Sequence, residues 1–293
     1  MKYKVRSQFI PTPGFTFLAF DLSQAETWVS AYLANEPRMK DALLHSDIHT
    51  ITAAAIFSDN TQCDHFGWDK ETNPSTGKSD RVCKVCGTRI TEEERYIGKR
   101  SNHGNTYRMS PIKWMQVING ESNEPPYVSV TSKQAIQYNR KWLNFYPRIQ
   151  TWWKEIESEL GQSRTLVTPY GRRRNFGGFW GQDLFKEATA FVPQSTVADH
   201  ALGLVQRQLN VEGGFLGISK HPDIKRYCRI VHTAHDSIML EVPSNREPEF
   251  APIIFSLFRR PLVVNGEQFT IPVDGEYGDR WGELEDIPKE WLS

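Results

Sequence analysis

The feature that most constrains the fold of this chain is an apolar run that ends at an aspartate and passes directly into a helical pattern. Residues 15–21 read FTFLAFD, and residues 24–34 then repeat apolar side chains at helical spacing. An unbroken apolar run of this length is typical of a strand buried inside a sheet. The sequence therefore predicts a buried strand at 15–21, with Asp21 leaving the core at a fixed place and Glu26 following the turn.

The composition is that of a globular protein without a long apolar segment. The 293 residues include 35 basic and 35 acidic side chains, so a nucleic-acid partner would need a local basic patch rather than an overall positive field. No apolar stretch is long enough to span a bilayer, and the N-terminus lacks the apolar region of a signal peptide. These observations predict a cytoplasmic protein without a membrane segment.

Further helical and strand patterns predict a mixed fold. Residues 226–242 predict a β-hairpin, because two apolar runs flank a polar centre. Thr91 and Glu94 form a capping-box pattern at the start of one helix. Helices are predicted at 38–57, at 92–107, at 132–160 with an interruption near Pro147, at 183–210 and at 247–259.

Two aspartates are associated with these strands. Asp21 ends the first strand, and Asp236 lies at the centre of the predicted hairpin. Either one alone is best interpreted as a turn or capping residue. Together they could converge on one or two Mg²⁺ ions, which proteins bind through one or two carboxylates plus substrate phosphates. Two such ions would serve an in-line phosphoryl displacement.

The helix at 92–107 carries a row of side chains at a spacing of four. Arg95, Lys99, His103 and Tyr107 therefore share one face. This face could be an ordinary solvated basic surface. However, no carboxylates are interleaved on it, and an unpaired cationic row suits a triphosphate. His103 and Tyr107 would then offer flat surfaces to a sugar and a base.

Residues 58–90 differ in composition from the rest and contain three of the four cysteines. Cys63-x-His65 and Cys83-x-x-Cys86 together supply four donors, which is enough for a closed structural Zn²⁺ site. The alternatives are a loop with incidental cysteines and a three-ligand site without His65. The segment is expected to be a loop or a small insertion, and Cys228 is expected to be a buried thiol.

Three motifs resemble those of family A DNA polymerases, the bacterial DNA polymerase I and T7-type enzymes. FDLSQAE at 20–26 is similar to motif A, RYIGKRSNHGNTY at 95–107 to motif B, and AHDS at 234–237 to motif C. The connecting segments DIHTITAAAIF, YPRIQTWW, TPYGRRRNF and QSTVAD follow in family order. The resemblance covers most of the chain from about Arg6 onward.

The resemblance implies a role for each matched residue. Asp21 and Asp236 would be catalytic ligands of two Mg²⁺ ions, and Lys99 would also protonate the pyrophosphate leaving group. Glu26 would exclude a ribose 2′-OH while held by a hydrogen bond from Tyr107. The implied nucleotide-binding set is Gln24, Glu26, Arg95, Lys99, His103 and Tyr107. The implied DNA-binding set is Arg172, Arg173, Gln194 and His235.

Four positions depart from the family pattern. Ser237 stands where motif C has a glutamate, which bears on metal affinity, and His103 stands where motif B has Phe or Tyr. Arg108 replaces a glycine where the template base passes, and Ala190 replaces an asparagine near the primer end.

The implied fold is an α+β polymerase palm, an antiparallel sheet with helices, plus helical fingers and a small zinc-ribbon-like insertion. Because only twenty residues precede Asp21, the thumb and exonuclease are expected to belong to a separate chain or to have been lost. The predicted division is 1–57 as the first part of the palm with motif A, 58–90 as the cysteine-rich insertion, 91–165 as the fingers with motif B, and 166–293 as the second part of the palm with motif C.

The implied function is that of a template-directed DNA polymerase catalytic subunit, which transfers nucleotides from dNTPs to a primer 3′-OH by two-metal-ion catalysis. Its partners would be primer–template DNA and dNTPs, in a bacterial or phage-infected cell. The alternative is a catalytically impaired palm-like subunit that binds DNA or assembles a replication complex. The four departures would mark its lost activity, but the persistence of the matched motif residues argues against it. These residues are Asp21, Glu26, Arg95, Lys99, Tyr107 and Asp236. A generic two-metal phosphohydrolase is a third hypothesis, which the basic helix disfavours.

Overall fold

The computed structural model describes residues 5–58, 60, 63–74, 76–120, 127–203 and 213–292. The chain divides into two compact units. The first unit comprises Met1–Val29, Val167–Arg174 and Val192–Ser293, and the second comprises Ser30–Leu166 and Asn175–Phe191.

Along the described residues, runs of consecutive helices are separated by runs of strands. The helices are α1 (Ala25–Leu33), α2 (Pro37–His45), α3 (Ile48–Phe57), α4 (Glu92–Thr106), α5 (Pro111–Gly120), α6 (Ser132–Phe145), α7 (Pro147–Ser163), α8 (Gln182–Leu202), α9 (Gly214–Lys220), α10 (Pro222–Tyr227) and α11 (Glu247–Phe258). The strands are β1 (Phe15–Leu22), β2 (Trp68–Thr72), β3 (Ser79–Cys83), β4 (Arg89–Ile90), β5 (Thr165–Val167), β6 (Arg173–Asn175), β7 (Arg229–Ala234), β8 (Ser237–Pro243), β9 (Pro261–Val264), β10 (Glu267–Thr270), β11 (Val273–Gly278) and β12 (Glu285–Asp286).

The first unit is built around a five-stranded sheet with the order β12-β11-β1-β8-β7. Strand β1 is central and pairs antiparallel with both β8 and β11. Its large apolar side chains are buried on both faces, with Phe17 on one face and Leu18 and Phe20 on the other. This double burial explains why the run is continuously apolar, and it confirms the predicted strand. The β7–β8 hairpin confirms the prediction for residues 226–242.

Helices α3 and α4 of the second unit approach each other unusually closely at Gly98. A Cβ atom at this position would lie 2.3 Å from the carbonyl oxygen of His49 and 2.9 Å from the amide nitrogen of Ala53. Only glycine fits there, although glycine inside a helix costs about 1 kcal/mol relative to alanine. The predicted capping box at Thr91 and Glu94 is present and fixes where α4 begins.

Three predicted helices need comment. The single helix predicted at 38–57 is wrong, because the chain breaks into α2 and α3 where Asp47 accepts the amide of His49 as an N-cap. The interruption predicted near Pro147 is confirmed by the division between α6 and α7. The helix predicted at 183–210 is observed as α8 to Leu202, and residues 204–210 lie outside the described residues.

The described residues of the cysteine-rich segment form a sheet of their own. Strands β2, β3 and β4 pair antiparallel in that order. Its apolar residues Ile90 and Trp68 pack against Ala53 and Ala54 of α3, with Phe57 beside them. The insertion is therefore attached to the second unit by a small core of its own.

In the part of the chain that the structure describes, none of the helices combines the length and apolar character needed to cross a bilayer.

Candidate active site

The two aspartates singled out from the sequence lie on neighbouring parts of the first unit's sheet. Asp21 is paired in register with Ser237 of β8 on one side and with Asp274 of β11 on the other. The amide of Leu22 donates a 3.0 Å hydrogen bond to the carbonyl oxygen of Asp236. Sheet register therefore brings motifs A and C together in the first unit.

The motif C turn has a constrained backbone. His235 and Asp236 form the two-residue connection between β7 and β8, and His235 has a φ of +50°. This left-handed conformation is unfavourable for a residue with a side chain. A 2.8 Å contact joins the Nε2 atom of His235 to the Oε1 atom of Glu26, and the hydroxyl of Ser237 donates to the carbonyl of Ala234 at 3.0 Å. The turn thus holds the motif C histidine against the motif A glutamate.

Negative charge accumulates around Asp21. Burial, followed by the charges of Asp236, Asp274 and Glu276, raises the pKa of Asp21 to about 7, and His235 opposes this rise. The pKa of Asp236 is also raised, chiefly by burial. A divalent cation would offset the repulsion among these carboxylates. Their hard oxygen donors suit Mg²⁺, so the residues present fit such an ion.

The sequence analysis missed two acidic residues of this site. Asp274 and Glu276 project from β11, and together with Asp21 they line a cavity of about 420 Å³ that also contacts Arg6 and His232. The available signal was the alternation of acidic residues in VDGEYG, which places both side chains on one face of a strand. Strand order was not readable from the sequence, so their proximity to Asp21 was not predicted.

The remaining motif A residue and the predicted DNA-binding residues also lie in the first unit. Gln24 is exposed in the turn after β1 with a φ of +55°, and Gln194 is exposed on α8. The guanidinium of Arg172 forms two hydrogen bonds with buried Asp199, at 2.9 Å and 2.5 Å. Arg173 is exposed on β6. The DNA contacts of these residues and of His235 stay predictions.

The predicted row lies along α4 and its C-cap residue Tyr107, with Arg95 and Tyr107 half-buried. Lys99 and His103 are exposed, and the rings of His103 and Tyr107 meet edge to face with centroids 6.2 Å apart. The expectation that this face lacks a carboxylate partner was wrong for Arg95, whose Nε donates to Asp47 at 2.5 Å. The carboxylate comes from the N-cap of α3, which the spacing within one helix could not reveal. The predicted hydrogen bond from Tyr107 to Glu26 stays a prediction.

Arg108, the departure that follows the motif B tyrosine, is packed within the second unit. It has a φ of +60° and forms a 2.5 Å ion pair with Glu157. Its guanidinium also stacks 5.1 Å from the ring centre of Trp153 and 5.6 Å from that of Phe185. The side chain is therefore a structural link between the end of α4 and helices α7 and α8.

The four donors of the insertion converge. The metal-ligating atoms of Cys63, His65, Cys83 and Cys86 all lie within 4.8 Å of one another. The Sγ atoms of Cys63 and Cys83 are 3.8 Å apart, and the Sγ of Cys86 is 3.4 Å from the Nδ1 of His65. This group could bind a metal ion, and His65 belongs to it. Cys228 is buried elsewhere, as predicted.

Comparison with known proteins identifies one family along most of this chain. The model of the family described as DNA polymerase family A matches residues 76–283. DNA polymerase I of Deinococcus radiodurans is 25% identical over 94% of this chain and 24% of its own length. The thermostable DNA polymerase I of Thermus filiformis is 22% identical over 99% of this chain and 28% of its own length. The chain spans about a quarter of the length of these curated relatives.

A solved structure shows the same fold. The POL domain of Pol1 from M. smegmatis, determined in a complex with DNA primer–template and dNTP, has a TM-score of 0.68 to this chain at 17% identity. The match covers 94% of this chain and 42% of that chain. It confirms the predicted α+β polymerase fold. Because the family model also matches more than half of the residues, this chain belongs to DNA polymerase family A.

Proposed function

We propose that this chain carries the nucleotidyl-transfer site of a template-directed DNA polymerase, which joins dNTPs to a primer 3′-OH. The observation that supports this most strongly is the adjacency of motifs A and C. Asp21 lies beside Ser237 in the sheet, and the backbone next to it is hydrogen-bonded to Asp236. A non-catalytic DNA-binding subunit has no need for such a concentration of uncompensated carboxylates.

The carboxylates of Asp21 and Asp236 would hold two Mg²⁺ ions. When bound, these ions activate the primer hydroxyl and neutralise charge on the transferred phosphate. Asp274 and Glu276 keep the site strongly negative although Ser237 replaces the motif C glutamate. His235, in contact with Glu26, would orient the primer terminus next to the residue that checks the sugar.

The nucleotide-binding roles are proposed for the second unit's helix α4. Arg95 and Lys99 would bind the triphosphate, Arg95 through two parallel hydrogen bonds and Lys99 as a point charge. Lys99 is exposed and is separated from Arg95 by one helical turn. Lys99 would donate a proton to the departing pyrophosphate. His103, Tyr107, Glu26 and Gln24 would contact the sugar and base.

We also assign Zn²⁺ to the four donors of the insertion. In a tetrahedral site, Zn–S bonds of about 2.3 Å place two sulfur atoms about 3.8 Å apart, and a sulfur and a nitrogen about 3.6 Å apart. Two of the observed separations, 3.8 Å for Cys63–Cys83 and 3.4 Å for Cys86–His65, match these values, and all four donors lie within 4.8 Å of one another. Three thiolates and an imidazole favour zinc over the hard cations. The ligand set is closed, which is typical of a structural rather than a catalytic ion.

The proposed partners are primer–template DNA and dNTPs, in the cytoplasm of a bacterial or phage-infected cell. A separate chain that supplies thumb and exonuclease domains would complete the enzyme. Such a partner would add contacts with the phosphate backbone, which supply much of the affinity for DNA.

The proposal is tested by primer extension. Purified chain at high concentration is mixed with a primer–template that has a 5′ overhang, four dNTPs and Mg²⁺, and extension is followed with time. We expect templated, Mg²⁺-dependent extension that is lost in Asp236→Asn. Binding of the same DNA without any extension would instead favour the impaired DNA-binding subunit, and hydrolysis of dNTPs without extension would favour a phosphohydrolase.

A further inference from the structure

Arg81 of β3, a mostly buried arginine, is one of the side chains that link the cysteine-rich insertion to the motif B helix. We propose that the zinc-held sheet of the insertion uses Arg81 to position Asp47 and the start of α4, and thereby Arg95. Arg81 would then be a positioning residue whose effect depends on the metal. The structural coupling stands on contacts within the second unit, and its consequence for nucleotide binding rests on the proposed function.

The first step runs from the metal to β3. Cys83 is the last residue of β3, and the turn Cys83–Gly87 closes with a 2.9 Å hydrogen bond from the Gly87 amide to the Cys83 carbonyl. Cys83 is also paired in register with Trp68 of β2, whose ring stacks on His65 with centroids 5.8 Å apart. A metal on these residues would therefore fix the end of β3 relative to β2.

The second step runs from β3 to the start of α4. Strand β4 pairs with β3 and is followed immediately by Thr91, the N-cap of α4. Arg81 forms an ion pair with Glu92, and Lys78 forms one with Glu93. The Nε of Arg81 is 3.6 Å from a carboxylate oxygen of Asp47. One strand of the insertion therefore contacts both the first turn of α4 and the N-cap of α3.

The third step is the shared carboxylate. Asp47 accepts the amide of His49 at 3.1 Å and the hydroxyl of Thr50 at 2.7 Å, which fixes it on α3. The same Oδ2 atom accepts the Nε–H of Arg95. Burial alone would raise the pKa of Asp47, but the hydrogen bonds from Arg95 and Thr50 outweigh it and the pKa is lowered. Asp47 is therefore a charged bridge between Arg81 and Arg95.

Burial distinguishes this bridge from ordinary surface ion pairs. The side chain of Arg81 is 13% exposed and that of Asp47 is 27% exposed, whereas Lys84 and Asp69, also in the insertion, are 55% and 59% exposed. Exposed pairs contribute little because water screens them. Without Arg81, Asp47 would still be paired with Arg95 but would no longer be linked to the insertion. Loss of the metal would free the strand that carries Arg81.

The test combines metal analysis with hydrogen exchange on the full chain. Zinc content is measured by mass spectrometry of the purified protein. Amide exchange is then compared before and after zinc removal by a chelator, and between wild type, Arg81→Gln and the matched control Lys84→Gln. Two segments are read: 95–99 on α4, and 238–242 on β8 as an internal reference.

We expect one zinc per chain in wild type and in both variants. Exchange at 95–99 should rise about tenfold on zinc removal and in Arg81→Gln, remain unchanged in Lys84→Gln, and leave 238–242 unchanged. If the chain extends primers, Arg81→Gln should raise the KM for dNTP about fivefold with little change in kcat, since a positioning residue acts through binding.

Several results would overturn the proposal. A wild-type chain that contains no zinc would refute the metal's part in the proposal. If exchange at 95–99 responds to zinc removal but not to Arg81→Gln, the positioning role of Arg81 is refuted. A wild-type chain that binds zinc and shows the exchange response but extends no primer would refute the polymerase proposal alone. Because Arg81→Gln leaves the zinc ligands intact, the test does not depend on a cysteine variant that fails to fold.

Discussion

The strand-end carboxylates of the first unit and the cationic helix of the second acquire their neighbours in different ways. Around Asp21, burial is the main reason that the pKa rises to about 7, and sheet register adds the repulsion of nearby acidic residues. Around Arg95, a helix cap from 48 positions earlier supplies the opposite charge. The carboxylates around Asp21 therefore require a cation from solution, whereas the cationic Arg95 is already paired with Asp47. This difference determines what a substitution does in each unit.

The largest expected effect is loss of the Asp21 carboxylate, which is surrounded chiefly by other acidic residues. Asp21→Asn should lower the rate of single-nucleotide incorporation about 10³-fold, because it removes about 4 kcal/mol of transition-state stabilisation. The exposed Asp183 of α8 provides a control, and Asp183→Asn should change the rate by less than about twofold. Incorporation by Asp21→Asn above about a tenth of the wild-type rate would contradict the metal-binding role.

In the second unit, the largest expected effect comes from packing rather than charge. Gly98→Ala places a Cβ atom 2.3 Å from the His49 carbonyl oxygen, so α3 and α4 must move apart. We expect a loss of about 2–3 kcal/mol in the free energy of unfolding, measured by urea denaturation.

The matched control for Gly98→Ala is another glycine inside a helix. Gly161 of α7 has its nearest neighbour, an atom of Trp180, at 3.9 Å from the built Cβ position. Gly161→Ala should therefore stabilise the protein by up to about 1 kcal/mol, the ordinary helix propensity difference. The same change in both variants would show that α3 and α4 are not in close contact at Gly98.

The sequence predicted elements well and partners poorly, for the same reason in both units. The strand at 15–21 and the capping box at Thr91 were predictable, because both depend on residues close together in the chain. The approach of Asp274 to Asp21 depends on strand order, and the pairing of Asp47 with Arg95 depends on how two helices pack. Neither leaves a periodic signal in one segment.

The cysteine tetrad is an instructive intermediate case. Its residues are distributed over 24 positions, from Cys63 to Cys86. The convergence of all four donors was nevertheless predictable, because thiol and imidazole groups at these spacings are typical ligands of a single Zn²⁺ ion. The contacts of Arg81 had no such reason and became visible only in the structure.

A smaller expected effect concerns pH and tests whether the two units respond alike. Burial, followed by the charge of Arg260, lowers the pKa of His200 in the first unit to about 3. Burial lowers the pKa of His49 in the second unit to about 4. Each histidine is protonated only in the unfolded chain between its folded pKa and the ordinary value of about 6.5. Above pH 6.5 both histidines are neutral in the folded and the unfolded chain, so stability is unaffected. As the pH falls below 6.5, protons bind the unfolded chain first and the free energy of unfolding decreases.

His200→Gln isolates the first unit's share. Between pH 6.5 and pH 5, His200 should lower the free energy of unfolding of the wild-type protein by about 2 kcal/mol. This part of the pH dependence should be missing in His200→Gln. The hydroxyl of Tyr170, 2.5 Å from the Nδ1 of His200, would retain a partner in the glutamine. Thermal melts at both pH values measure the difference. An unchanged pH dependence in His200→Gln would show that His200 titrates normally in the folded protein.

The smallest expected effect is at Arg108, where this chain departs from the family's glycine. Arg108→Gly relieves the φ of +60°, which favours the variant by about 1 kcal/mol, but it removes the ion pair with Glu157 and the stacking on Trp153. Because the Arg108 side chain is 10% exposed, the losses should outweigh the gain and leave a net destabilisation of about 1 kcal/mol. Arg148, whose 4.0 Å pair with Glu155 is exposed, should be silent as Arg148→Ala. Both variants are measured by urea denaturation. Greater stability in Arg108→Gly would mean that relief of the backbone conformation outweighs loss of the packed ion pair. The second unit would then not depend on its internal charge pairs, and this contrast with the acidic cluster around Asp21 would fail.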